Sequence, residues 1–157
     1  MTIPLLEVSS VVDDEKREII IDYLKEITSE YAHRNLIFSI EAELGPDQLQ
    51  EIIDVNDNIR ITYDTGNMTS FGQDHVEYIE RFHEKINNVH LKDRTFDAQT
   101  VLPGTGNTNF KEIFSTLKKV GYSGLYTIQT ARETTGNEVE TITKHRKYFK
   151  ELYNECA

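Results

Sequence analysis

Phe38-Ser39-Ile40-Glu41-Ala42-Glu43 is the stretch on which the fold turns. Side chains alternate along a strand, so Phe38, Ile40 and Ala42 share one face, and Ser39, Glu41 and Glu43 share the other. Three further segments divide in the same way. Ile61 and Tyr63 oppose Arg60, Thr62 and Asp64; Val89 and Leu91 oppose Asn88, His90 and Lys92; Tyr126 and Ile128 oppose Thr127 and Gln129. An open doubly wound sheet, covered by helices on both faces, requires near-continuous apolar strands. One apolar and one polar face per strand fits a barrel, whose outer face packs under helices while its inner face lines a lumen.

Outward from these strands the apolar period changes to that of helices. A strand over residues 3–8 comes first, and Asp13 or Asp14 caps a helix carrying Ile19, Ile20, Tyr23, Leu24, Ile27 and Tyr31. The second strand covers 36–43. Gly45-Pro46-Asp47 then turns the chain into a short helix with Leu49, Ile52 and Ile53. The third strand, 60–64, is ended by Thr65-Gly66-Asn67. A helix from about Asp74 sets Val76, Ile79, Phe82 and Ile86 on one face, and a fourth strand covers 88–91. Farther on, a helix beginning near Thr108 stops at a glycine C-cap, Gly121. A fifth strand over 125–129 and an amphipathic helix with Ile142, Tyr148, Phe149 and Leu152 complete the series. Strand-helix-strand units in succession, joined by right-handed crossovers, predict α/β architecture with parallel strands.

The 157 residues suit one globular domain. Lys+Arg 17 against Asp+Glu 27 gives a net charge of −10, which repels phosphate backbones and anionic lipid; neither nucleic acid nor membrane is an expected partner. No apolar run reaches the roughly 18 residues of a membrane-spanning helix, and the first residues do not read as a secretion signal. The single cysteine, Cys156, has no partner for an internal disulfide and suits the reducing cytoplasm.

The chemistry concentrates at strand ends. Glu41, Asp64, His90 and Gln129 lie near the C-terminal ends of four consecutive strands, where barrel enzymes place their active sites. Two carboxylates, an imidazole and an amide oxygen form a mixed O/N donor set suited to a divalent metal ion: Mn²⁺, Mg²⁺, Co²⁺ or Zn²⁺. The competing structural reading is that each is a hydrogen-bonded strand cap, and the agreement across four strands favours the metal. His75, His83 and His145, on helices and without ligand partners at useful spacing, read as surface or packing residues.

The ordered strings Phe38-Ser39-Ile40-Glu41, Tyr63-Asp64-Thr65-Gly66-Asn67, Asn88-Val89-His90-Leu91-Lys92-Asp93 and Gly121-Tyr122-Ser123-Gly124 resemble the xylose-isomerase-like TIM-barrel superfamily. That superfamily includes sugar and sugar-phosphate isomerases and epimerases, inosose dehydratases and the endonuclease IV class of abasic-site nucleases. The resemblance covers roughly residues 35–152. It implies a partial (β/α)8 TIM barrel, about strands 4–8 with their helices, in a single domain over 1–157. It further implies a metal held by Glu41, Asp64, His90 and the residue at 129, with Asn67 contacting substrate. Two departures stand out. Position 129, usually Glu, is Gln here, and an amide coordinates weakly and accepts no substrate proton. An eight-stranded barrel takes about 250 residues, so about three strands are missing, and a second copy completing the barrel as a homo-oligomer is one expected remedy for open edges.

The function implied is a metal-dependent isomerase or epimerase acting on a small sugar or sugar phosphate through an enediolate. Glu41 is the expected base, with Glu133 or Asp93 as second acid/base. Lys92 or Arg132 would neutralise substrate charge, and backbone N–H groups of the Gly104 and Gly106 loop would hold a phosphate or hydroxyls. A fragment that binds metal or sugar without turnover is the rival reading, ahead of an endonuclease IV-like phosphodiesterase.

Overall fold

The computed structural model describes residues 1–134 and 136–156. Among them the elements run β1 (Thr2–Leu5), α1 (Asp14–Glu30), β2 (Phe38–Ala42), α2 (Pro46–Ile53), β3 (Ile59–Asp64), α3 (Thr65–Ser70) and α4 (His75–Phe82). They continue as β4 (Ile86–Leu91), β5 (Asp93–Arg94), β6 (Thr100–Val101), α5 (Phe110–Lys119), β7 (Leu125–Ile128) and α6 (Glu138–Glu155). The sheet order is β1-β2-β3-β4-β7, with the β1–β2, β2–β3 and β4–β7 pairs parallel. The α/β class and the five strands expected from the pattern are therefore present. None of the described helices is long and apolar enough to cross a membrane. Backbone packing divides the chain into two compact units: Met1–Thr62 with Glu84–Asn87, and Tyr63–His83 with the residues from Asn88 onward.

In the first unit, β1 and β2 pair with Thr2 opposite Ser39 and Pro4 opposite Glu41. Ser39 N–H donates to the Met1 carbonyl and Glu43 N–H to that of Leu5, so the odd-numbered residues of β1 face β2. Pro4, which has no N–H to give, therefore falls on the outer edge, where its missing donor costs nothing. Asp13 caps α1, its side chain accepting from Lys16 N–H at 3.1 Å. Pro46 opens α2 behind Gly45. The interior is filled by Leu24, Ile40, Leu49, Ile52 and Ile59, all fully buried. On the opposite face of the strands, the Ser39 hydroxyl bonds Thr62 Oγ1 and Asn87 Oδ1, both at 2.7 Å. Two expectations need correction. The first strand stops at Leu5, because Glu7 at φ +51° turns the chain into a 3₁₀ turn over Glu7–Ser9. In α1, Leu24 is buried while Ile19 and Tyr23 are exposed, so only part of the apolar stripe is covered.

In the second unit, β4 and β7 pair with Asn88 opposite Leu125 and Leu91 opposite Ile128. Ile113, Phe114 and Leu117 of α5 are buried, and Phe110 meets Phe149 of α6 edge-on at 5.0 Å. Gly121, at φ +73°, ends α5 as expected: its N–H bonds the Lys118 carbonyl and Tyr122 N–H reaches back to Leu117. Three local readings differ. Thr65-Gly66-Asn67 opens helix α3 instead of a simple turn. α4 ends at Phe82, so Ile86 belongs to β4 and not to the helix face. The stretch after β4 contains a two-stranded antiparallel ribbon, β5 with β6.

Candidate functional site

Asp64 is the last residue of β3 and the N-cap of α3, a position where a short carboxylate both ends a strand and starts a helix. Its Oδ1 accepts the Asn67 N–H at 2.8 Å. Its Oδ2 is buried and, among the described residues, receives no hydrogen bond of good geometry. That oxygen faces His90 Nδ1 at 3.7 Å and Lys92 Nζ at 3.0 Å. Burial pulls the Asp64 carboxyl upward, but His90, the Lys92 ammonium and the Asn67 N–H outweigh it and hold the group below its ordinary value. A buried, ionised carboxylate oxygen turned toward an imidazole nitrogen is a donor pair that fits a divalent cation.

Lys92 is buried as well, its Nζ 3.3 Å from Asn67 Oδ1. Its stem crosses Gly66, where a Cβ would lie 2.8 Å from Lys92 Cγ and 2.9 Å from Cδ. Thr65 Oγ1 donates to the Lys92 carbonyl at 2.7 Å and lies 3.0 Å from the Lys92 N–H. Asp64, Asn67, His90 and Lys92, four of the residues singled out in the sequence, are thus brought together, with Lys92 committed to Asp64 and Asn67.

Glu41 sits near the end of β2, buried, on the same side of its strand as the hydrogen-bonded Ser39. Gln129 is exposed just past β7, its N–H on the Leu91 carbonyl at 3.1 Å, and Arg132 is exposed beyond it.

Asp93 and its glycines have a different role from the one expected. The Asp93 carboxylate accepts N–H bonds from Gly104 at 2.8 Å, Gly106 at 2.9 Å and Thr108 at 3.2 Å. The amides read as a phosphate cradle are therefore already filled by an internal anion. The sequence placed the loop's donors correctly but could not show that a residue eleven to fifteen positions upstream consumes them. Gly104 is at φ +81°, and a Cβ there would also meet the Tyr148 hydroxyl at 2.6 Å.

Glu133 is held by α6: its Oε1 accepts from Lys144 Nζ at 2.9 Å and lies 3.1 Å from His145 Nε2. The Lys144 ammonium, with His145, keeps the Glu133 carboxyl below its usual value, which weakens it as a base. His145 is buried and its Nδ1 lies 2.8 Å from Thr130 Oγ1, a packing role as read.

The model of the xylose isomerase-like TIM barrel family matches residues 4–152. An inosose dehydratase of Geobacillus thermodenitrificans is 24% identical over 178 residues, covering 96% of this chain and 59% of its own length. Among solved structures, the IOLI protein with a binding zinc atom superposes with a TM-score of 0.81 at 19% identity, covering 99% of this chain and 63% of that one. A xylose isomerase domain protein from Planctomyces limnophilus gives a TM-score of 0.77 at 21% identity, covering 98% and 58%. The chain thus spans about three-fifths of the length of these relatives. Their likeness over nearly all of the chain shows the fold to be that of part of a TIM barrel. With the family match running almost from end to end, the chain belongs to the xylose isomerase-like TIM-barrel family.

Proposed function

We propose that this protein is a metal-dependent isomerase or epimerase of a small sugar or sugar phosphate, working through an enediolate. The observation that carries the reading is the buried Asp64 Oδ2, ionised and turned toward His90 Nδ1 at 3.7 Å. Glu41, the third donor that the sequence resemblance adds to Asp64 and His90, would make this a two-carboxylate, one-imidazole set for a divalent ion. The family, the named activity of the Geobacillus relative and the zinc in the IOLI structure support it. Dehydration of an inosose and isomerisation of a sugar share a first step, removal of the proton alpha to a carbonyl.

When bound, the ion would polarise the carbonyl and hydroxyl oxygens of the substrate and stabilise negative charge developing on them. The chain's own residues do the rest. Glu41, as carboxylate, takes the alpha proton and becomes the acid that returns it. Asp64 and His90 fix the donor geometry, and Lys92 offsets the Asp64 charge. Glu133 is spoken for by Lys144 and His145, and Asp93 by the loop amides, so the proposal rests on one base, which suits return of the proton to the neighbouring carbon in an isomerase and leaves an epimerase without its second base. Gln129 favours the contrary reading, a site that binds without turnover, because an amide takes no proton.

The two readings separate in D₂O. With Mn²⁺ and a ketohexose or its phosphate, the proposal expects deuterium at the carbon alpha to the carbonyl, followed by NMR, and its loss in Glu41→Gln. Metal binding without exchange in any sugar tested would leave binding alone.

A further inference from the structure

On the opposite face of β4 and β7 from His90 and Thr127, the second unit carries an open pocket of about 500 Å³. Its walls are aromatic. Phe114 lies 6.0 Å from Tyr126 and 5.4 Å from Tyr153 between ring centroids, and Phe149 closes another side. Polar groups are few and specific. The Tyr126 hydroxyl is buried in this wall, with only the Tyr153 side chain beside it and no hydrogen bond of good geometry among the described residues. Arg146 and Lys150, one helical turn apart on α6, also line the space. Neither forms an ion pair among the described residues, although the α6 lysines Lys144 and Lys147 both do.

A cavity of this size, mostly apolar with a few convergent polar groups, has the make-up of a small-molecule site. In a chain of net charge −10, two unneutralised cations at one mouth select for an anion. We propose that this cavity binds a small amphipathic anion: an apolar, preferably aromatic body seated among Phe114, Phe149 and Tyr153, with one carboxylate or sulfonate on Arg146 and Lys150. A hydrogen-bonding atom of the body would satisfy the Tyr126 hydroxyl. The site shares no residue with the proposed metal centre, so it stands or falls separately from the sugar chemistry.

The test titrates the full chain with 8-anilinonaphthalene-1-sulfonate and with its uncharged relative N-phenyl-1-naphthylamine, followed by fluorescence. One saturable sulfonate site per chain is expected. The surface double variant Arg146→Ala/Lys150→Ala should weaken the sulfonate about tenfold while leaving the neutral probe within about twofold. Ser123→Trp, which fills the cavity from its rim, should weaken both, with circular dichroism unchanged in each variant. Absence of a saturable site, sulfonate binding indifferent to the double variant, or insensitivity of both probes to Ser123→Trp would overturn the proposal.

Discussion

Two buried aspartates in the same unit, Asp64 and Asp93, are 3% and 1% exposed, yet their carboxylates face opposite circumstances. Asp93 is engaged on both oxygens: Gly104 and Gly106 give a backbone N–H to Oδ2 and Thr108 gives one to Oδ1. Asp64 takes one N–H on Oδ1 and turns Oδ2 toward an imidazole and an ammonium with no well-formed hydrogen bond on that oxygen. A carboxylate whose two oxygens both take backbone N–H bonds holds the chain in place. One that keeps a lone pair in reserve, inside the protein, is equipped to hold something else.

The comparison is broken most visibly at Asp93. Asp93→Ala strands three part-buried N–H groups at once, and a loss of about 3 kcal/mol is expected in denaturant unfolding. A loss under 1 kcal/mol would show that the loop does not depend on its anion.

His75 belongs with Asp93 among the spent groups. Its Nε2 lies 3.0 Å from Thr69 Oγ1, and its Nδ1 meets the Tyr63 hydroxyl. Burial pushes its pKa down from 6.5 to about 4, against a smaller opposing pull from Asp74. The folded protein therefore resists a proton that the unfolded chain accepts: the stability is whole above pH 6.5 and is lost as pH falls toward 4. About 3 kcal/mol should disappear across that window. His75→Gln should be less stable at pH 7 but show a shallower decline between pH 6.5 and 4 in thermal melts. An unchanged slope would remove His75 from the account.

Lys92 sharpens the other side of the comparison. Its ammonium, 3.0 Å from Asp64 Oδ2, supplies positive charge where a metal would. Lys92→Met should lower the melting temperature of the metal-free protein and tighten Mn²⁺ or Zn²⁺ binding about tenfold by calorimetry. Weaker binding would mean that Lys92 supports the ion and does not compete with it.

Much of this was legible in the sequence, for identifiable reasons. Alternation set Ser39, Thr62 and Asp64 apart from Ile40, Ile61 and Tyr63, and local chemistry marked the α1 cap as Asp13 or Asp14, the start of α4 near Asp74 and the glycine cap at Gly121. These signals reach only a few residues. Asp64 was legible as a candidate ligand but not as the cap of α3, because Gly66 looked like a turn residue. Its small size instead serves the passage of the Lys92 stem, a contact 26 positions away. The Asp93 loop was misread for the same reason: donors are visible locally, whereas the acceptor that spends them arrives through the fold. Glu133 looked free until α6 returned with Lys144 and His145.

The reserve held by Asp64 is most directly tested by titrating Mn²⁺ and Zn²⁺ into the protein and into Asp64→Asn, reading heat and melting temperature together. The account predicts one ion per chain, a raised melting temperature, and at least about a hundredfold weaker binding in the variant. A protein that ignores both ions, or an Asp64→Asn variant that binds them as well as the parent does, would contradict it.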